Sequence, residues 1–126
     1  MPRYSKTFLD HFNNPRNVGV IENAEGVGTE KNEVCGDMMT LYLKVRGERI
    51  TEARFQTLGC SASIAASSAT TELVAGKSVE EARALTRHDI AEALDGIPPA
   101  KLHSAALAID ALKSALDKLE VGSQGS

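Results

Sequence analysis

Tryptophan is absent from this 126-residue chain and aromatic residues make up only 4% of it, so the core must be built from Ala, Leu, Ile and Val. Ten glycines and four prolines are too few for a fibrous or low-complexity protein. Positive charge is not in excess. The 14 Lys and Arg against 17 Asp and Glu leave a net −3 and a pI near 5.6. That balance excludes a nucleic-acid binder working through a basic surface. No apolar run approaches the ~18 residues of a membrane span. Residues 1–6 carry charge with no apolar stretch behind them, so no secretory signal is expected. A soluble, cytoplasmic protein is expected, with neither nucleic acid nor membrane as partner. Cysteine is scarce too. Cys35 and Cys60 are the whole supply, and in a reducing compartment such a pair is buried filler, a metal-ligand pair or a reactive site rather than a structural disulfide.

Hydrophobic residues at 42% and charged residues at 25% describe a folded globule. The length allows one domain. It is expected over residues 1–121, with the Gly- and Ser-rich stretch 122–126 as a disordered tail.

The periodicity changes midway. Tyr4, Phe8 and Phe12 recur every fourth residue, so residues 4–13 read as a short amphipathic helix ended by Pro15. Residues 16–38 are weakly patterned, with 27–31 the best strand candidate. Leu41, Leu43 and Val45 alternate with polar neighbours, as do Ala53 and Phe55, giving a hairpin around Gly47-Glu48-Arg49. From Ser61 a helix of small residues runs to Gly76. Ser78 caps a short helix with Glu81 completing a capping box, and a further turn or two covers 87–94. After Pro98-Pro99, the residues Leu102, Ala106, Ile109, Leu112, Leu116 and Leu119 mark one core face of a long helix. Strands first and helices afterwards predict an α+β fold, a small three-stranded antiparallel sheet with helices packed on one face.

The hairpin register locates chemistry. Both apolar sets share a face if Arg46 stands opposite Ile50 across a three-residue loop. The same ladder, continued, puts Gly36 opposite Cys60, so Cys35 and Asp37 bracket the point facing Cys60. Cys60 itself lies between a strand and a helix start, where the dipole and free N–H groups favour a thiolate. His103, in the first turn of the last helix, is the candidate third element. Cys35, Asp37, Cys60 and His103 form a mixed sulfur, nitrogen and oxygen set suited to a tetrahedral ion or to the terminal positions of a small iron–sulfur cluster. The plainer readings stand beside it. Two cysteines are often small buried hydrophobes, Asp37 after Gly36 fits a turn, and His103 alone fits a helix end. His11 and His88 read as surface or capping residues, Ser67 and Ser68 as spacers for helix packing, and Lys101 as a solvated lysine.

Four motifs occur in order: His11-Phe12-Asn13-Asn14-Pro15-Arg16-Asn17-Val18-Gly19, Cys35-Gly36-Asp37, Gly59-Cys60-Ser61-Ala62-Ser63, and Pro98-Pro99-Ala100-Lys101-Leu102-His103. The set resembles the iron–sulfur cluster assembly scaffolds of the IscU type, found also as the N-terminal domain of NifU. The resemblance runs from about Tyr4 to Leu119. It implies a non-enzymatic carrier on which a [2Fe–2S] cluster is built from iron and sulfur and passed to apo-proteins. Sulfur would come as persulfide from a cysteine desulfurase, and Zn²⁺ would occupy the cluster-free site. Cys35, Asp37, Cys60 and His103 match the family's ligands, and the family's Asp makes the cluster labile. Residues 97–101 loosely match a stretch that an Hsp70-type chaperone grasps in some members. The third family cysteine is replaced by Ser104, which cannot carry a persulfide. The alternatives are a cysteine-nucleophile enzyme using Cys60 and His103, and a structural zinc domain. The oligomeric state stays open between monomer and dimer.

Overall fold

The computed structural model describes residues 4–33 and 36–124. Among these the elements run α1 (Lys6–Asn13), β1 (Gly26–Lys31), β2 (Met38–Arg46), β3 (Arg49–Leu58), α2 (Ser61–Val74), α3 (Val79–Arg83), α4 (Arg87–Ala93), a 3-10 turn (Pro99–Lys101) and α5 (Leu102–Gln124). The strands form an antiparallel sheet in the order β1-β2-β3. Its inner face, with Met39, Leu41, Leu43, Ala53 and Phe55, is buried in one core with α2 and α5. The outer face carries polar pairs such as Tyr42 with Gln56 and Thr29 with Thr40. This is the expected α+β arrangement. No helix among the described residues is long and apolar enough to cross a membrane. The stretch 122–126 falls only partly within the described residues, with α5 drawn to Gln124.

The hairpin tip differs from the expected register. Arg46 pairs with Arg49 and Val45 with Ile50, so the loop holds two residues rather than three. From Lys44 opposite Glu52 inward the ladder is the expected one, up to Met38 opposite Leu58. The difference is absorbed by a bulge that leaves Thr51 without an opposite partner. The reason is Ile50. It has the same parity as the outward-facing Glu52 and Arg54, and without the extra residue its side chain would point to water. With the bulge it is fully buried, a change that favours the core by about 2 kcal/mol. Gly47, at φ +66°, permits the tight reversal.

Two further corrections concern faces. On α5, Ile109, Leu112 and Leu116 are buried and Leu119 packs on the core as expected, but Leu102 is 37% exposed and Ala106 half-buried, and the covered side also takes in Ala105, Ala108, Ala111 and Ala115. The helix is wedged between β1, α2 and α4, so a broad alanine-lined side is covered rather than a narrow leucine stripe. Residues 17–19, expected as loop, lie along the outer edge of β3. The Phe55 N–H donates to the Asn17 carbonyl at 2.9 Å and the Gly19 N–H to the Phe55 carbonyl at 2.8 Å. They cover an otherwise open strand edge.

His11, expected at the surface, is 5% exposed. α1 is fixed by its Ser5 cap, which accepts from the Phe8 N–H at 2.9 Å, and by Tyr4 stacked on Phe8 with ring centroids 4.3 Å apart. On its buried side His11 Nδ1 lies 2.7 Å from Ser68 Oγ, and Nε2 lies 3.4 Å from the Glu72 carboxylate. Ser68 Oγ accepts from the Arg16 N–H at 2.9 Å. It is therefore free to donate to Nδ1, which leaves the neutral ring to donate from Nε2 towards Glu72. Ser68 is thus an anchor for α1 and the following loop, not a spacer. Burial, and then the Arg16 charge, push the His11 pKa below its usual 6.5, against the opposing pull of Glu72 and Asp10. The unfolded chain therefore takes up a proton here that the native state resists. The resulting contribution to stability is present above pH 6.5 and is lost as the pH falls below it. Urea midpoints at pH 7.5 and 5.5 are expected to drop more for the parent than for His11→Asn; equal drops would remove His11 from the account.

Candidate metal centre

Three elements end at one place. β2 begins at Met38, directly after Asp37; β3 ends at Leu58 and α2 starts after Cys60; α5 starts at Leu102, directly before His103. The antiparallel ladder brings the first two together, and the Pro98-Pro99 break with its 3-10 turn aims α5 at them. Ligand atoms of Asp37, Cys60 and His103 all lie within 4.8 Å of one another. Zinc binds thiolate sulfur at ~2.3 Å and imidazole nitrogen at ~2.0 Å, which sets tetrahedral donors roughly 3.5 Å apart, so small side-chain rotations bring these three onto a shared ion. Cys35, the fourth expected member, lies outside the described residues.

Cys60 is the N-cap of α2, extended at φ −77° and ψ 170°, and its side chain caps nothing. Its thiol instead donates to Asp37 Oδ2 at 3.3 Å. The Asp37 carboxylate also takes a hydrogen bond from the Cys60 backbone N–H, so the residue just ahead of β2 satisfies a backbone donor at this helix start. Asp37 is 5% exposed. Burial alone would raise its pKa. Donation from Ser63, from the Cys60 side chain and from the Cys60 backbone, with His103 nearby, outweighs burial and holds the carboxyl below its usual 3.8. The turn reading of Asp37 is not excluded by this role, since its carbonyl accepts from the Asn32 N–H at 2.8 Å.

Gly59 makes the approach possible. A Cβ there would stand 2.6 Å from Asp37 Cγ, so any side chain would drive the carboxylate away from Cys60.

Ser63 was not singled out from the sequence, and Ser104 was named only as the residue standing where the resemblance implies a third cysteine. Ser63 and Ser104 are both fully buried, their hydroxyls 3.1 Å apart. Ser63 Oγ lies 2.6 Å from Asp37 Oδ2 and 3.7 Å from Cys60 Sγ. Ser104 Oγ lies 3.9 Å from Cys60 Sγ. The signal for Ser63 was its place three residues after a helix cap, where a side chain turns back over the helix start.

A family model described as the NifU-like N terminal domain matches residues 3–123. An iron-sulfur cluster assembly scaffold protein of Archaeoglobus fulgidus, IscU 1, is 56% identical over 113 residues, covering 90% of this chain and 74% of the relative. The IscU scaffold of Escherichia coli K12 is 49% identical over 117 residues, covering 90% and 91%. Among solved structures, a scaffold protein for the SUF system from Fervidobacterium islandicum AW-1 superposes with a TM-score of 0.75 at 28% identity, covering 90% of this chain and 96% of that one. A NifU-like N-terminal protein from Brucella abortus shares the fold, with a TM-score of 0.77 at 23% identity.

Proposed function

This chain belongs to the NifU-like N-terminal domain family, and on that premise we propose that it builds a [2Fe–2S] cluster on Cys35, Asp37, Cys60 and His103 and passes it to apo-proteins. Its role is that of an iron–sulfur cluster assembly scaffold, as its relatives are named, and not that of an enzyme. The reading rests on one observation above all: a thiol, an imidazole and a carboxylate from three separate elements meet within reach of one ion.

The cluster is cargo, and the donor set is suited to letting it go. The sulfurs hold iron strongly and the imidazole acceptably. The Asp37 oxygen is a hard donor among softer ones, the weakest hold and the easiest to exchange. Cys35 enters through its motif, two residues before Asp37. Sulfur comes from a cysteine desulfurase, Zn²⁺ fills the site when no cluster is present, and the setting is cytoplasmic. An Hsp70-type chaperone grasps residues 97–101, where Pro99 and Ala100 are exposed and stand just ahead of His103. Anaerobic reconstitution with ferric iron, sulfide and thiol tests the reading. It is expected to give visible thiolate-to-iron absorption that moves to an apo-acceptor on mixing. A colourless, iron-free product would overturn the proposal.

Ser104 separates this chain from the family pattern. Its Oγ faces Cys60 Sγ at 3.9 Å, so a thiol in its place would join the same donor set. In the Ser104→Cys variant, Co²⁺ loaded under reducing conditions is expected to show sulfur-to-metal absorption roughly 1.5-fold that of the parent, as three thiolates replace two. The variant is also expected to retain labelled sulfur after incubation with a desulfurase. An unchanged spectrum with no retained label would show that position 104 does not reach the metal.

A further inference from the structure

Ser63 has no part in the reading above, yet its geometry is specific. It is fully buried in the first turn of α2. Its hydroxyl has one proton, and the Asp37 carboxylate 2.6 Å away can only accept. Ser63 therefore donates to Asp37. At its other contact Ser63 Oγ lies 3.1 Å from Ser104 Oγ, with the angles placing Ser63 rather than Ser104 as donor; with its one proton committed to Asp37, Ser63 meets Ser104 as a packing neighbour. The bare Cα of Gly59 also packs close to the carboxylate, where a Cβ would stand 2.6 Å from Asp37 Cγ. The carboxylate oxygen is held by Ser63 while still within 4.8 Å of the Cys60 and His103 ligand atoms. Asp37 Oδ2 accepts from Ser63 and from the Cys60 thiol; the thiol's bond is given up when Cys60 binds an ion as thiolate, which frees a lone pair while Ser63 stays in place, and hydrogen-bonded carboxylates are the usual partners in metal sites.

We propose that Ser63 is a positioning residue that fixes the Asp37 carboxylate where it, Cys60 and His103 can bind one metal ion. This rests on reading those three residues as ligands. The full chain is tested with Zn²⁺, by competition against a chromophoric chelator under reducing conditions, for the parent, Ser63→Ala, Asp37→Ala, Cys60→Ala and the Ser63→Ala/Asp37→Ala double variant. Alanine suits a helix, so Ser63→Ala is expected to fold. It is expected to bind Zn²⁺ roughly 10-fold more weakly than the parent. In the Asp37→Ala background the same change is expected to alter affinity by less than about two-fold, because Ser63 would then have nothing to hold. Parent-like affinity in Ser63→Ala, with Asp37→Ala and Cys60→Ala both weakened, would overturn the positioning role and leave the ligand reading standing. A Ser63→Ala loss that persists without Asp37 would also overturn it, since Ser63 would then act through the helix. Zn²⁺ affinity indifferent to both Asp37→Ala and Cys60→Ala would overturn the ligand reading and this inference with it.

Discussion

Cys60→Ala is expected to lower Zn²⁺ affinity by roughly 10²–10³-fold and to abolish the iron chromophore while leaving the protein folded. A structural zinc site of four ligands contributes roughly 10–16 kcal/mol, or roughly 2.5–4 kcal/mol per ligand, which is the stated loss in affinity. Folding should survive because Cys60 sits at the edge of the core rather than inside it. The large buried side chains, Phe8, Leu41, Leu43, Ile50, Leu112 and Leu116 among them, pack without it. The side chain caps no helix, so alanine removes no backbone partner. Its one close hydrogen bond, to Asp37, is replaced in part by the donors from Ser63 and the Cys60 amide. Competition titration with a chelator checks the affinity and circular dichroism checks the fold. A variant that still binds Zn²⁺ as the parent does would remove Cys60 from the centre, and one that unfolds would point to a structural metal.

Gly28→Ala is expected to be the most damaging substitution for stability, at about 3 kcal/mol or more. The inner face of β1 presents Gly26 and Gly28 to α5. A Cβ on Gly28 would overlap the Ala111 carbonyl oxygen and the Ala115 amide nitrogen, and would stand 2.9 Å from the Ser114 carbonyl carbon. At Gly26 it would stand 2.5 Å from the Ala115 carbonyl oxygen. These are backbone atoms of a helix, and no flexible side chain can swing aside. The whole of α5 would have to move off the sheet, and His103 in its first turn would move with it. Urea unfolding is expected to show a midpoint lowered without change of slope, and a Tm lower by roughly 10 °C. Thr29→Ala, on the exposed outer face of the same strand, should change stability by less than about 0.5 kcal/mol. Near-parental stability of Gly28→Ala would mean that β1 and α5 are not in backbone contact.

Periodicity was informative where one cause dominated. The hairpin alternation located β2 and β3 and, through their ladder, brought Asp37 to Cys60. The capping box at Ser78 was readable because both of its bonds are local: Ser78 Oγ accepts from the Glu81 N–H at 3.0 Å, and the Glu81 carboxylate accepts from the Ser78 N–H at 2.9 Å. The same logic holds for Thr86 with Asp89, a box that the pattern also contained and that was passed over. On α5 the leucine and isoleucine positions 109, 112, 116 and 119 marked the core side, but the alanines beside them were not legible as core, because close approach to a glycine-bearing strand is what favours alanine there. His11 was misjudged because its partners, Ser68 and Glu72, lie about sixty residues away in the chain.

From its residues alone this chain determined an α+β fold, the order of its elements and the motifs that carry Asp37, Cys60 and His103, since alternation, helix periods, caps and motif spacing are local properties that survive being read in one dimension. Only the tertiary structure decided which hydroxyls surround Asp37, that Gly59 and Gly28 must be bare, that Ile50 turns inward through a bulge, and that His11 is buried. Each of these depends on atoms brought together from distant segments, where van der Waals contact and the satisfaction of buried polar groups set the outcome and no short window of sequence records it.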